Sequence, residues 1–126
     1  MAASSASLHE DPARLGPEAI DRHRAIVSIM EELEAIDWYD QRVQATDDEE
    51  LRAILVHNRD EEKEHAAMLL EWLRRRDAAL SGFMKTYLFS DGQITGLEAA
   101  AKTATTSPDL AADESLGIGG LRGEAS

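Results

Sequence analysis

The chain has 126 residues, 43% hydrophobic but only 5% aromatic, with no cysteine; this suits one small domain and excludes disulfides, thiolate-bound zinc, iron–sulfur clusters and thiol nucleophiles. Its 25 acidic and 13 basic residues give a net charge of −12, which argues against nucleic acid or an anionic membrane as a partner and favours cations. No apolar run approaches the ~20 residues of a membrane span, and Met1–Ser7 lacks the basic and apolar regions of a secretory signal, so a soluble cytoplasmic protein is expected.

Residues 1–16 are small and polar and are broken by Pro12 and Gly16; they read as a flexible N-terminal segment. Pro17 followed by Glu18 opens a helix, because proline is preorganised for the first helical position. From Glu18 to about Val43 there is no Gly or Pro, and apolar residues recur at helical spacing. Thr46 with Glu49 three residues on is a capping box and starts a second helix, which runs to about Arg76. A connection this short forces an antiparallel hairpin. A third, shorter helix is predicted over residues 77–89, weakened by Ser81-Gly82. Asp91-Gly92 is a turn, and a further short helical piece follows from Thr95 to Ala101. The expected fold is all-α: an antiparallel two-helix hairpin plus a short third helix, within a domain spanning 17–102. Residues 103–114 are mostly Ala, Thr, Ser and Asp with Pro108, the chemistry of a flexible linker. The tail, 115–126, carries three aliphatic residues, Leu116, Ile118 and Leu121, spaced by glycines.

The core stripes of the two long helices are informative. The first reads Ala25, Ile29, Glu32, Ile36, Tyr39, Val43, and the second Leu51, Leu55, Asn58, Glu62, His65, Leu69, Trp72. Both are apolar at their ends and ionisable in the middle. A carboxylate on a buried face must be neutralised, paired or bound to metal. Glu32 lies 15 residues before Asp47 and Glu62 lies 15 after it, so a hairpin centred there sets them at one height. The same register sets Tyr39 opposite Leu55. Glu62 and His65 form a Glu-x-x-His step, whose two side chains share a helix face. Two carboxylates and one imidazole suit Fe or Mn better than structural zinc. Ferritin-like di-iron bundles take a Glu from each of two helices and a Glu-x-x-His from each of the other two. One chain supplies half of that set, and an isologous two-fold dimer would supply the rest at its axis. A metal-free dimerising scaffold and a non-redox Mn or Zn carrier are the competing readings.

Other residues near this stripe have plainer readings. Tyr39 suits core packing as well as contact with a metal or ligand. Glu31, Glu34 and Trp38 form an adjacent face, either solvated or attractive to cations. Glu61 and Glu64 are expected to pair with Arg59, Lys63 or solvent, and His9, His23 and His57 are expected at the surface. No zinc-protease pattern, Gly-rich phosphate loop or Ser/His/Asp order is present.

Ile20–Val27, Met30–Arg42, His57–Met68 and Glu71–Arg75, together with the Ser115–Arg122 tail, closely resemble the encapsulated ferritins. The resemblance covers about residues 18–98 and the last dozen. It implies a hairpin that pairs into a ferritin-like four-helix bundle, with the pairs assembled into a ring-shaped decamer. It further implies oxidation of Fe2+ to Fe3+ by O2 at a di-iron site on the dimer axis, two irons per dimer. Residue by residue, Glu32, Glu62 and His65 match the family's ferroxidase ligands and Tyr39 a tyrosine near that centre. Glu31, Glu34 and Trp38 match a second metal or cation-access site. Leu116, Gly117, Ile118, Gly119 and Leu121 match the peptide that loads such proteins into an encapsulin shell, whose lumen within the cytoplasm is then the expected location. No nucleic-acid or membrane partner is implied.

Overall fold

The computed structural model describes residues 7–105, and every regular element among them is helical. A single 3-10 turn, Pro12–Arg14, is capped by Asp11, whose side chain accepts from the Ala13 N–H at 3.0 Å. Helix α1 runs Pro17–Ala45 and α2 Glu49–Arg75; α3 is Ala78–Tyr87 and α4 Ile94–Thr105. The residues divide into two units, up to Leu73 and from Arg74 on.

In the first unit, α1 begins with Pro17 at its first position after Gly16, as a proline helix start requires. The expected capping box is replaced by a tighter arrangement. Thr46 closes α1, its N–H donating to the Arg42 carbonyl at 3.1 Å, and its hydroxyl accepts from the Asp48 N–H at 3.1 Å. Asp48, not Thr46, caps α2: its carboxylate accepts from the Leu51 N–H at 2.9 Å. An aspartate there leaves Glu49 free to pair with Arg52, whose guanidinium also donates to the carbonyls of Val43, at 3.1 Å, and Thr46. Those carbonyls have no intrahelical partner at the end of α1, so Arg52 ties the second helix to the end of the first. Further along, Arg59 Nη1 reaches Asp40 Oδ1 at 2.9 Å. Partners that rise along α2 as they fall along α1 make the hairpin antiparallel.

The hairpin buries little. Ala25, Ile29 and Val43 of α1 and Ala66 of α2 are its buried apolar residues, and no large side chain is fully buried among the described residues. Glu32, Ile36 and Tyr39 continue the α1 stripe at intermediate exposure, as do Leu55, Asn58, Glu62, His65, Leu69 and Trp72 on α2. Leu51 departs from the expected stripe and is exposed; its backbone N–H engages the Asp48 cap at the helix start. A second α1 stripe, Ile26, Met30 and Leu33, is exposed although apolar.

In the second unit, Asp77 caps α3 by accepting from the Leu80 N–H at 2.9 Å. The helix runs through Gly82 without a break, and α3 packs on α4. The turn between them holds Gly92 at φ 90°, a left-handed conformation natural to glycine, and Phe89 at φ 59°. Helix α4 continues to Thr105, past the expected start of the linker. The rest of the linker and the whole shell-targeting motif, Leu116 to Leu121, lie outside the described residues. No helix among the described residues is long and apolar enough to cross a membrane.

Candidate metal centre

Midway along the hairpin, α1 presents Glu32 and α2 presents Glu62 and His65. One ligand atom from each lies within 4.8 Å of the other two, the one such acidic or imidazole cluster among the described residues. His65 Nδ1 is 3.2 Å from Glu62 Oε1 and 3.6 Å from Glu32 Oε1. The i,i+3 spacing on α2 makes the first contact, and the antiparallel register makes the second. The Glu32 and Glu62 side chains are about a quarter exposed and His65 is 43% exposed, so the cluster sits at the open edge of the hairpin.

The electrostatics follow from three groups with too few protons. The two carboxyls hydrogen-bond to one another, which is possible only when they share a proton. Glu32 is the member pushed above the usual carboxyl value, first by that hydrogen bond and then by desolvation and the Glu62 charge. Glu62 is held below it, because Glu32 and His65 both donate to its charged form. The hydrogen bond to Glu62 raises the His65 imidazole, with the charges of Glu32, Glu62 and Glu61 adding to it.

The donor set fits a cation. Adjacent donors of a six-coordinate ion held at ~2.1 Å lie ~3.0 Å apart. The 3.2 and 3.6 Å separations about Nδ1 are close to that edge, so the three atoms, all within 4.8 Å of one another, are spaced as one ion's ligands could be. Three donors leave coordination positions open. Two hard oxygens and one imidazole nitrogen, without thiolate, match Fe or Mn chemistry.

The remaining sequence candidates are placed differently. Glu31, Glu34 and Trp38 are exposed on α1, Trp38 by 50%, and do not join the cluster. Tyr39 is half-buried two helical turns beyond Glu32, and the Arg42 guanidinium lies over its ring at 5.4 Å, a cation–π contact. His57 is exposed and His23 is half-buried. Glu61, expected to pair with Arg59, Lys63 or solvent, is half exposed and takes neither cation. Arg59 pairs with Asp40 and Asp60, and Lys63 with Asp60. Glu61 faces two imidazoles instead, with His57 Nε2 at 3.8 Å and His65 Nε2 at 3.9 Å. The signal for this was present in the sequence, since residues 57, 61 and 65 succeed one another at i,i+4. The Asp40–Arg59 pair was not legible, because it depends on the rotation of one helix against the other.

Comparison with known proteins shows the family. Residues 7–91 match the family model described as EncFtn-like. The chain is 60% identical to the encapsulated ferritin-like protein of Rhodospirillum rubrum, over 99% of this chain and 94% of that one. It is 53% identical to a ferritin-like protein of Thermotoga maritima, over 71% of this chain and 79% of that one. An encapsulin nanocompartment cargo protein of Myxococcus xanthus is 36% identical over 76% of this chain and 80% of its own length. A crystal structure of a Nitrosomonas europaea protein superposes with a TM-score of 0.68 at 58% identity, covering 70% of this chain and 97% of that one.

Proposed function

The chain belongs to the EncFtn-like family, and from that premise we propose that it is a ferroxidase, oxidising Fe2+ to Fe3+ with O2. The observation that carries this reading is the convergence of Glu32, Glu62 and His65. These are the Glu and the Glu-x-x-His of a di-iron carboxylate site, present as half of the full set. A second copy related by a two-fold axis supplies the other half, giving a four-helix bundle with two irons between two sets of ligands. The exposed stripe of Ile26, Met30 and Leu33 beside Glu32 supports such pairing, because a contiguous apolar surface gains free energy when another chain covers it.

Fe2+ is the substrate, drawn by the acidic surface and taken up past Glu31, Glu34 and Trp38. As it binds, the shared carboxyl proton and the His65 proton leave, and Glu32 and Glu62 become full anions. Hard anionic oxygens favour the higher charge of Fe3+. Holding two irons side by side lets them deliver two electrons to one O2. By the family resemblance Tyr39, two turns along α1 from Glu32, serves as the tyrosine near that centre. By the same family logic the pairs build a ring-shaped decamer. The tail residues Leu116, Gly117, Ile118, Gly119 and Leu121 dock the protein inside an encapsulin shell, their aliphatic side chains filling small pockets and the glycines letting the strand lie close. The cargo name of the M. xanthus relative supports this role, which places the protein in the shell lumen within the cytoplasm.

Anaerobic addition of Fe2+ followed by O2 tests the activity through the rise in near-ultraviolet absorbance. The wild type is expected to oxidise iron faster than buffer and Glu32→Ala to fall to the buffer rate. Oxidation that is no faster than buffer in the wild type, or unchanged in Glu32→Ala, would contradict the proposal. Binding of Mn2+ or Zn2+ without iron oxidation would instead mark a carrier. Deletion of the residues after Asp113 is expected to abolish loading into co-expressed shells and to spare oxidation; loading that survives would refute the targeting role.

A further inference from the structure

His65 presents both ring nitrogens to carboxylates. Nδ1 faces the space where Glu62 and Glu32 converge, at 3.2 and 3.6 Å, and Nε2 faces Glu61 on the opposite edge of the ring, at 3.9 Å. A neutral imidazole carries one N–H, and which nitrogen bears it is set by the hydrogen bond the other edge makes. With 43% of its side chain exposed, His65 is not held in orientation by packing alone. Glu61 is itself half exposed and lies one turn before His65 on α2, so its carboxylate is free to turn toward Nε2.

We propose that Glu61 is a positioning residue for His65: its carboxylate accepts the Nε2–H and thereby presents the Nδ1 lone pair to the metal. Histidine ligands donate their other ring N–H to a carboxylate, carbonyl or water, which fixes the tautomer and makes the ligand more basic. The geometry here is the carboxylate–histidine–metal arrangement built within a single helix. Glu62 and His65 at i,i+3 face the ion, and Glu61 and His65 at i,i+4 hold the ring from behind. The Glu-x-x-His step alone sets the ligand atoms on one face but not the rotation of the imidazole. Glu61 does not touch the ion, and it acts only through His65. His57, on the far side of Glu61 at 3.8 Å, keeps that carboxylate between two imidazoles rather than turned to a lysine or arginine.

The assignment rests on reading Glu32, Glu62 and His65 as a metal site, and the test separates the two. Full-length wild type, Glu61→Ala, Glu61→Gln and Glu64→Ala are titrated with Zn2+ as a diamagnetic probe, and the zinc-loaded proteins, labelled with 15N-histidine, are examined by NMR. Removing such an outer carboxylate costs about 10–100-fold in metal affinity. Because Glu61 is half exposed, about 10-fold is expected for Glu61→Ala, with partial recovery in Glu61→Gln, which keeps an acceptor without charge. Glu64→Ala removes the same charge from an exposed neighbouring position and is expected to weaken binding by less than about 2-fold. In the wild type the His65 Nε2–H is expected as a slowly exchanging signal that is lost in Glu61→Ala. A purely structural or long-range electrostatic role would not move that signal. Equal losses in Glu61→Ala and Glu64→Ala, no loss in either, or an Nε2–H signal unaffected by Glu61→Ala would each overturn the assignment. Failure of the wild type itself to bind Zn2+ would overturn the metal reading beneath it.

Discussion

The turn end of the hairpin and its middle use charge in opposite ways. At the turn, Arg52 meets Glu49 and two helix-end carbonyls, and two turns of helix away Arg59 meets Asp40 and Asp60. Each cation there has its anions and acceptors, and Val43 beside them is buried. In the middle, two carboxyls share one proton and lean on an imidazole, and the ion-pair partner that Glu32 and Glu62 have in common is His65. The first region is satisfied by the chain itself. The second is satisfied best by a cation from outside, which is why stability and function are expected to separate along one helix pair.

The sharpest way to break this contrast is to exchange the two kinds of loss. Glu62→Ala removes a ligand and is expected to lower the iron-oxidation rate by more than about 100-fold, beyond the range of an outer carboxylate, while the metal-free melting temperature changes little. Arg52→Ala is the mirror case. It leaves two helix-end carbonyls without their donor, a cost of about 1–2 kcal/mol, so the melting temperature should fall while oxidation per folded dimer is retained. Calorimetry and oxidation assays on the same two variants check both. If Arg52→Ala lost oxidation at unchanged stability, or Glu62→Ala kept it, the two regions would not divide as described.

A smaller effect is expected from pH. Glu32 and His65 both titrate above their ordinary values. Each therefore stabilises the fold fully below its unfolded value and loses that contribution as pH rises through its folded value. Glu62, held low, does the reverse and loses its contribution as pH falls through its folded value. The metal-free protein should thus melt at slightly lower temperature as pH climbs past 6.5, the ordinary imidazole value, as His65 gives up its proton. Solvent screening at this exposed edge keeps the change small. Metal affinity should rise over the same range, because the ligands bind deprotonated. Melting curves with and without Zn2+ across this range check both slopes, and a metal-free protein that grew more stable there would contradict the raised His65 imidazole.

Much of this was legible in the sequence, for definite reasons. The long helices show as uninterrupted stretches between Pro17 and the Thr46–Asp48 connection, and from there to Arg75. The cluster shows because Glu32 and Glu62 are equidistant from a short turn, which turns sequence distance into height along the hairpin. What failed was local competition. Asp48 took the cap from Thr46 because it stands directly before the first helical residue. The third helix formed where it was expected, and it ran through Gly82 because a glycine inside a helix costs only about 1 kcal/mol. Glu61 was expected beside Arg59, Lys63 or solvent; it is half exposed, and the two cations found closer anions in Asp40 and Asp60. Helix rotation, not spacing, decides such contacts.

Whether two chains complete one iron site is read from iron-soaked crystals by anomalous scattering at the iron edge. Two irons per two chains are expected, lying between both copies of Glu32, Glu62 and His65. Iron bound elsewhere, or bound in full by each chain without the partner's ligands, would contradict that expectation.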